Sequence, residues 1–255
     1  MAATLTALLL LAGCGGTGDE EPAASGGSGG AGGDVLSGQL TVFAAASLTE
    51  AFDRIGQQLQ ARHPQLFVTV NYGGSSGLAT QINEGAPADV FAAASPATMT
   101  TVTDAGNNAG APVVFARNQL VIAVAKGNPK DVTGLADLAR PGLKVALCAE
   151  EVPCGAAAKR AGVTVTPVTL ERDVKAALAK VKLGEVDAAL VYRTDATAAP
   201  SDVDAVEFPE SANAINDYPI VVLADAPNPA AAAGFVEFVR TEGLAVLTEA
   251  GFQAP

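Results

Sequence analysis

Two six-residue stretches of this 255-residue chain are identical, VFAAAS at Val42–Ser47 and again at Val90–Ser95, and a helix signal follows each. After Ser47 comes LTEAFDRIGQQLQARH, with Glu50 three residues on, the spacing of a capping box. After Ser95 comes Pro96, suited to the first position of a helix. An apolar run that ends twice in a helix-starting serine demands strand-to-helix junctions. From Gly38 onward the rest of the chain follows the same form. The apolar runs QLTVFAAAS, FVTVNYG, DVFAAA, NQLVIAVAKG, KVALCAE, VTVTPVTL, DAALVYR and YPIVVLA alternate with helical segments such as SGLATQINEG, GAAAKRAG, ERDVKAALAKVKLG and AAAAGFVEFVRTEGLAVLTEAG. This succession predicts an α/β fold of mostly parallel strands, with ligands beyond the carboxyl ends of the strands, where helix N-termini gather.

The start of the chain is different. MAATLTALLLLAGCGG is an apolar run of secretory length that ends in Leu11, Ala12, Gly13 and Cys14. It resembles the lipobox of bacterial lipoproteins, which implies cleavage before Cys14 and acylation of its thiol. A plain signal peptide that holds a cysteine is the simpler alternative. No Lys or Arg precedes the run, so the usual basic start is missing and a start codon further upstream is allowed. Residues 15–38, GGTGDEEPAASGGSGGAGGDVLSG, lack the bulky apolar groups that offset ordering entropy, and they read as a flexible tether with a reach of about 25 Å. Gly27, Gly29 and Gly32 match G-x-G-x-x-G, but with no strand before and no helix after, the match carries no dinucleotide site.

Composition removes other classes. A formal net charge of -12 with no tryptophan argues against a nucleic-acid surface, which needs clustered Lys and Arg. Of three cysteines, setting Cys14 aside leaves Cys148 and Cys154, an even pair in an oxidising compartment and so a disulfide. The rival reading, a metal site, lacks companions, because the only histidine is His63, in ARHPQ at the end of a helical run. That solitude also weakens a Ser-His-Asp hydrolase. No nucleophile elbow or Walker motif is present, which leaves little for an enzyme.

Four junctions then attract notice. Beside Ser47 stand Ser75 and Ser76 in NYGGSSGLATQI, Cys154 in EEVPCGAAA, and Arg172 to Val174 in TLERDVKAAL. Taken singly, any such serine is as well explained as a helix cap. Together they suggest an anion pocket of neutral donors between two lobes, because the amides of a first helical turn have no intrahelical acceptor and sit at the positive end of the dipole.

These residues bring the chain close to a known family. TVFAAASL, a Ser-rich turn before LATQI, GAPADVFAAAS, VPCG, DVKAAL and VY occur in an order similar to that of the periplasmic molybdate-binding proteins of ABC importers, from about Gln39 to the C-terminus. The resemblance implies a two-lobed periplasmic-binding-protein fold of type II, with mixed, mostly parallel sheets and helices on both faces. Lobe 1 would comprise residues 39–116 and 217–255, and lobe 2 residues 117–216. The implied ligand is molybdate or tungstate, held by Ser47 and Ser75, by the backbone amides of Cys154 and Val174, and by Tyr192. Cys154 departs from the small residue usual there, but any residue with an amide donor would serve. Ser95 stays a cap. The resemblance implies no cofactor and no enzymatic activity. It implies a monomer tethered outside the cytoplasm through lipid on Cys14, closing on its ligand and docking on a membrane permease with its ATPase. A binding protein for another oxyanion such as sulfate or phosphate is the nearer alternative. An iron-binding protein would want clustered anionic oxygens, and only Tyr72, Tyr192 and Tyr218 offer phenols. A purely structural or adhesive role predicts no small ligand.

Overall fold

The computed structural model describes residues 35–255. The secretory run, Cys14 with its lipidation, and most of the tether lie outside the described residues. The last residues assigned to the tether do not: Gly38 opens the first strand, and the Leu36 amide donates to His63 Nδ1 at 3.2 Å. Leu36 packs on the core, against the bare face of Gly234, so the folded body begins earlier than composition indicates.

The first sheet is built from β1 (Gly38–Ala45), β2 (Leu66–Gly73), β3 (Val90–Ala92), β4 (Val113–Asn118) and the late strand β10 (Asn216–Val222), in the order β2-β1-β3-β10-β4. β5 (Leu120–Ala125), β6 (Val145–Cys148), β7 (Thr169–Glu171), β8 (Ala188–Tyr192) and β9 (Val203–Val206) form the second sheet, ordered β7-β6-β8-β5-β9. The chain crosses from the first to the second between Asn118 and Leu120 and returns between Val206 and Asn216. This is a two-lobed α/β fold. Both sheets are mixed, and parallel and antiparallel pairings are equal in number because β10, β4, β5 and β9 pair antiparallel with their neighbours.

The repeated hexapeptide has a direct structural meaning. β1 and β3 are parallel neighbours in which Val42 faces Val90, Phe43 faces Phe91 and Ala44 faces Ala92. Identical side chains therefore lie side by side at the same level of the sheet. Small alanines follow on both strands, and both chains turn into helices at the same sheet edge.

Helices cover the sheets: α1 (Thr49–Arg62), α2 (Ser75–Asn83), α3 (Pro96–Thr103), α7 (Pro229–Arg240) and α8 (Gly243–Glu249) with the first, and α4 (Pro153–Arg160), α5 (Val174–Lys182) and α6 (Arg193–Thr197) with the second. The core of the first lobe is aromatic. Phe52 meets Phe235 edge-on at 5.6 Å, Phe115 meets Tyr218 at 6.4 Å, and Tyr218 meets both Phe252 at 5.3 Å and Tyr192 of the second sheet at 5.9 Å.

Three local expectations need correction. Ser47 does not cap α1; it sits in a 3-10 turn, Ala46–Leu48, and α1 begins only at Thr49 with no side-chain cap. The β-branched run VTVTPVTL yields a strand only at Thr169–Glu171, where β6 offers a partner. VVFARN and VDAV, too short or too polar to read as strands, become β4 and β9 through pairing with β10 and β5.

Candidate functional site

One small cavity lies where the two sheets' strand ends meet, and Ser47, Ser75, Cys154, Val174 and Tyr192 all line it. Its volume is about 20 Å³, equivalent to a sphere of roughly 3 Å radius once the ~1.4 Å radius of a water-sized sphere is added. That space suits one small polyatomic ion. Organic ligands need pockets of about 300 Å³ or more.

Each wall residue is delivered by a strand-to-helix junction. Ser47 follows β1, and Ser75 opens α2 behind Gly73 and Gly74. Cys154 is the second residue of α4, behind Pro153, and Val174 is the first of α5, behind its cap Asp173. Tyr192 ends β8. Ser47, Ser75, Cys154, Val174 and Tyr192 are all 5% exposed or less. In the first turns of α2, α4 and α5, the amides of Ser75, Cys154 and Val174 have no acceptor within their own helix. The dipoles of these helices add positive potential at the same place.

Two glycines permit the convergence. A Cβ on Gly155 would stand 1.9 Å from the Ala149 carbonyl oxygen, so only glycine lets α4 start against the loop that follows β6. A Cβ on Gly74 would stand 2.2 Å from the Arg172 carbonyl oxygen of the other lobe. The disulfide Cys148–Cys154, with Cα atoms 5.7 Å apart, ties the end of β6 to the first turn of α4.

The hydroxyls have inner partners. Ser75 Oγ accepts from the Ala94 amide at 3.0 Å, Tyr192 Oη accepts from Asn216 Nδ2 at 2.6 Å, and Ser47 Oγ lies 2.8 Å from Tyr218 Oη. Burial pushes the Tyr192 phenol above its ordinary value, with the charge of Asp195 adding to the shift. Tyr218 is raised too, first by burial. Both phenols therefore stay protonated at any physiological pH.

One expectation about the wall fails in part. Asp173 lines the cavity, which was expected to hold no carboxylate, but its Oδ1 accepts from the Ala176 amide at 2.8 Å, within its own helix start. Ser95 behaves as expected: its Oγ accepts from the Thr98 amide at 3.3 Å and it takes no part in the cavity wall. Asn216 and Tyr218 were not foreseen as partners of the site. Tyr218 sits within an apolar strand run and reads as core; Asn216 has no motif, and only the sheet brings it to Tyr192.

The lobes touch around the cavity. Lys175 of α5 reaches Glu50 of α1 at 2.6 Å, and Ser76 Oγ donates to the Glu151 carbonyl at 2.5 Å. Among the described residues, no helix is long and apolar enough to cross a membrane, and no group of three or more His, Cys, Asp or Glu side chains is arranged to hold a metal ion. What the cavity offers is hydrogen-bond donors.

Residues 40–253 match the family model of bacterial extracellular solute-binding proteins. Over 256 residues the chain is 43% identical to the molybdate-binding protein ModA of Mycobacterium tuberculosis, covering 98% of this chain and 97% of that protein. The fold matches the periplasmic molybdate-binding protein of Azotobacter vinelandii with a TM-score of 0.73 at 18% identity, over 85% of this chain and 99% of that one. It also matches the sulfate-binding protein SubI of M. tuberculosis, with a TM-score of 0.75 at 19% identity over 85% of this chain and 86% of that one. At such identities these two likenesses speak for the fold alone. The family model and the match along nearly the whole length show that the chain belongs to the bacterial extracellular solute-binding proteins, among the relatives of the molybdate-binding protein ModA.

Proposed function

We propose that this protein captures molybdate or tungstate outside the cytoplasm and delivers it to the permease of an ABC importer. The observation that carries the reading is the convergence of Ser47, Ser75, Cys154, Val174 and Tyr192, from both lobes, on a single ion-sized cavity. In this reading Ser47, Ser75 and Tyr192 donate through hydroxyls, and Cys154 and Val174 through backbone amides. A fully ionised tetrahedral oxyanion has only acceptors, so neutral donors satisfy it without desolvating a fixed cation. A protonated oxyanion would bring a hydrogen that finds no acceptor among these donors.

Because the donors come from both lobes, the ligand binds the closed form better than the open one, and that difference drives closure. The closed form is the one that docks. The two lobes move as the two bodies, hinged where the chain crosses between the sheets, and the protein works as a monomer anchored through lipid on Cys14. Calorimetric titration with molybdate, tungstate, sulfate and phosphate tests the ligand. Tight sulfate binding with no response to molybdate would overturn the assignment. Labelling with a radioactive fatty acid, compared between the native chain and Cys14→Ala, tests the anchor.

A further inference from the structure

We propose that Asn216, which does not touch the cavity, is a positioning residue that sets the proton direction of Tyr192 and so makes that phenol an obligate donor to the site. The inference rests on the oxyanion reading above.

Asn216 can have only one amide orientation. Its Oδ1 accepts from the Arg160 guanidinium, and its Nδ2 faces two backbone carbonyls, Ala94 at 2.8 Å and Pro153 at 3.4 Å. Guanidinium nitrogens only donate and carbonyl oxygens only accept, so a flipped amide would oppose like with like at three contacts. Nδ2 therefore donates to Tyr192 Oη at 2.6 Å. With that lone pair occupied, the phenolic hydrogen of Tyr192 is left for the cavity.

Ser75 follows the same rule through the main chain. An amide can only donate, so the Ala94 N–H fills one lone pair of Ser75 Oγ. Its hydrogen too is left for the cavity.

At Ser47 the partner is another hydroxyl, Tyr218 Oη at 2.8 Å, and either oxygen can donate. Tyr192 and Ser75, each free in principle to donate or accept, are the two hydroxyls turned one way by neighbours that can only donate to them. The consequence is selectivity by protonation state: an oxyanion carrying a hydrogen meets no acceptor among them.

The test uses the full chain, titrated calorimetrically with molybdate and with phosphate at neutral pH, where phosphate still carries a hydrogen. Asn216→Asp replaces the donor with an acceptor, which draws the Tyr192 hydrogen away from the cavity. We expect molybdate affinity to fall about ten- to a hundredfold and the molybdate-to-phosphate affinity ratio to narrow by about tenfold or more. The added charge repels both anions, so the ratio isolates the proton direction. Asn216→Ala should cost much less affinity in a Tyr192→Phe background than alone. Tyr192→Phe serves if the Asn216 variants do not fold: it removes the directed hydrogen itself and should narrow the same molybdate-to-phosphate ratio. A native chain that ignores molybdate would sink the oxyanion reading itself. A native chain that binds molybdate, with the ratio unchanged and the paired losses additive, would leave that reading standing and overturn this inference alone.

Discussion

Lys175 Nζ lies 2.6 Å from Glu50 of the opposite lobe and 3.4 Å from Asp195 of its own. It stands one residue after Val174, which lines the cavity, and Glu50 stands three after Ser47. The ion pair therefore spans the lobes beside the ligand cavity. Asp195 is fully buried, and one of its oxygens has no hydrogen-bond partner.

The Glu50–Lys175 pair should act as a weak latch. Its side chains are 49% and 26% exposed, so solvent screens it and its contribution is about 1 kcal/mol or less. Glu50→Gln is expected to raise the molybdate dissociation constant about two- to fivefold, mainly through faster release, with thermal stability unchanged. Stopped-flow release measurements check this, and an unchanged release rate would remove the pair from closure.

Asp195 makes a pH prediction. Burial pushes its carboxyl up to about 6 from 3.8, against the pull of Lys175 and the Tyr192 amide. A raised carboxyl binds protons more readily in the folded state, so its cost to stability is full above about pH 6 and is relieved as pH falls toward 3.8. Asp195→Asn should abolish that slope. Unfolding by urea from pH 4 to pH 8 would show it as a difference between native and variant confined to about pH 4–6. Parallel curves for the two proteins would contradict it.

Tyr192→Phe removes one donor to a charged ligand. The expected loss is about 1.5–3 kcal/mol, or about 10- to 150-fold in affinity. Calorimetry showing unchanged affinity would take Tyr192 out of the site.

The two serines of the repeat should separate. Ser47→Ala is expected to weaken binding strongly and to leave Tyr218 Oη without its Ser47 partner, whereas Ser95→Ala loses a cap worth about 1 kcal/mol and leaves affinity intact. Equal losses of affinity at both positions would contradict the geometry.

Cys148→Ala opens the disulfide, whose sequence separation is 6. On the chain-entropy model the loss is about 2 kcal/mol of stability, with a modest loss of affinity from looser seating of α4. Cys154→Pro removes the amide itself and should nearly abolish binding. If Cys148→Ala destroyed binding and Cys154→Pro retained it, the Cys154 amide would not be a ligand.

By itself the sequence determined the junctions. Strand runs that end in small residues, Pro96 and Pro153 at first helical positions, Asp173 as a cap and glycine before Ser75 are all local choices, each governed by neighbours within a few residues. The likeness of the motif series to a known family could be read from the same stretches, and so could the positions that line the cavity. Tertiary structure decided what local chemistry leaves open. Ser47 looked like a cap because Glu50 follows at capping-box spacing, but the turn before α1 directs its hydroxyl to Tyr218 and Glu50 turns to Lys175 across the lobes. VTVTP remained outside the sheet for lack of a partner strand, and β10, late in the chain, inserted between β3 and β4. That insertion, 122 residues from Ala94, is what carries Asn216 to Tyr192 and the Ala94 carbonyl. Hydrogen-bond direction at a hydroxyl depends on which partner lies opposite in space, and no window of sequence contains that partner.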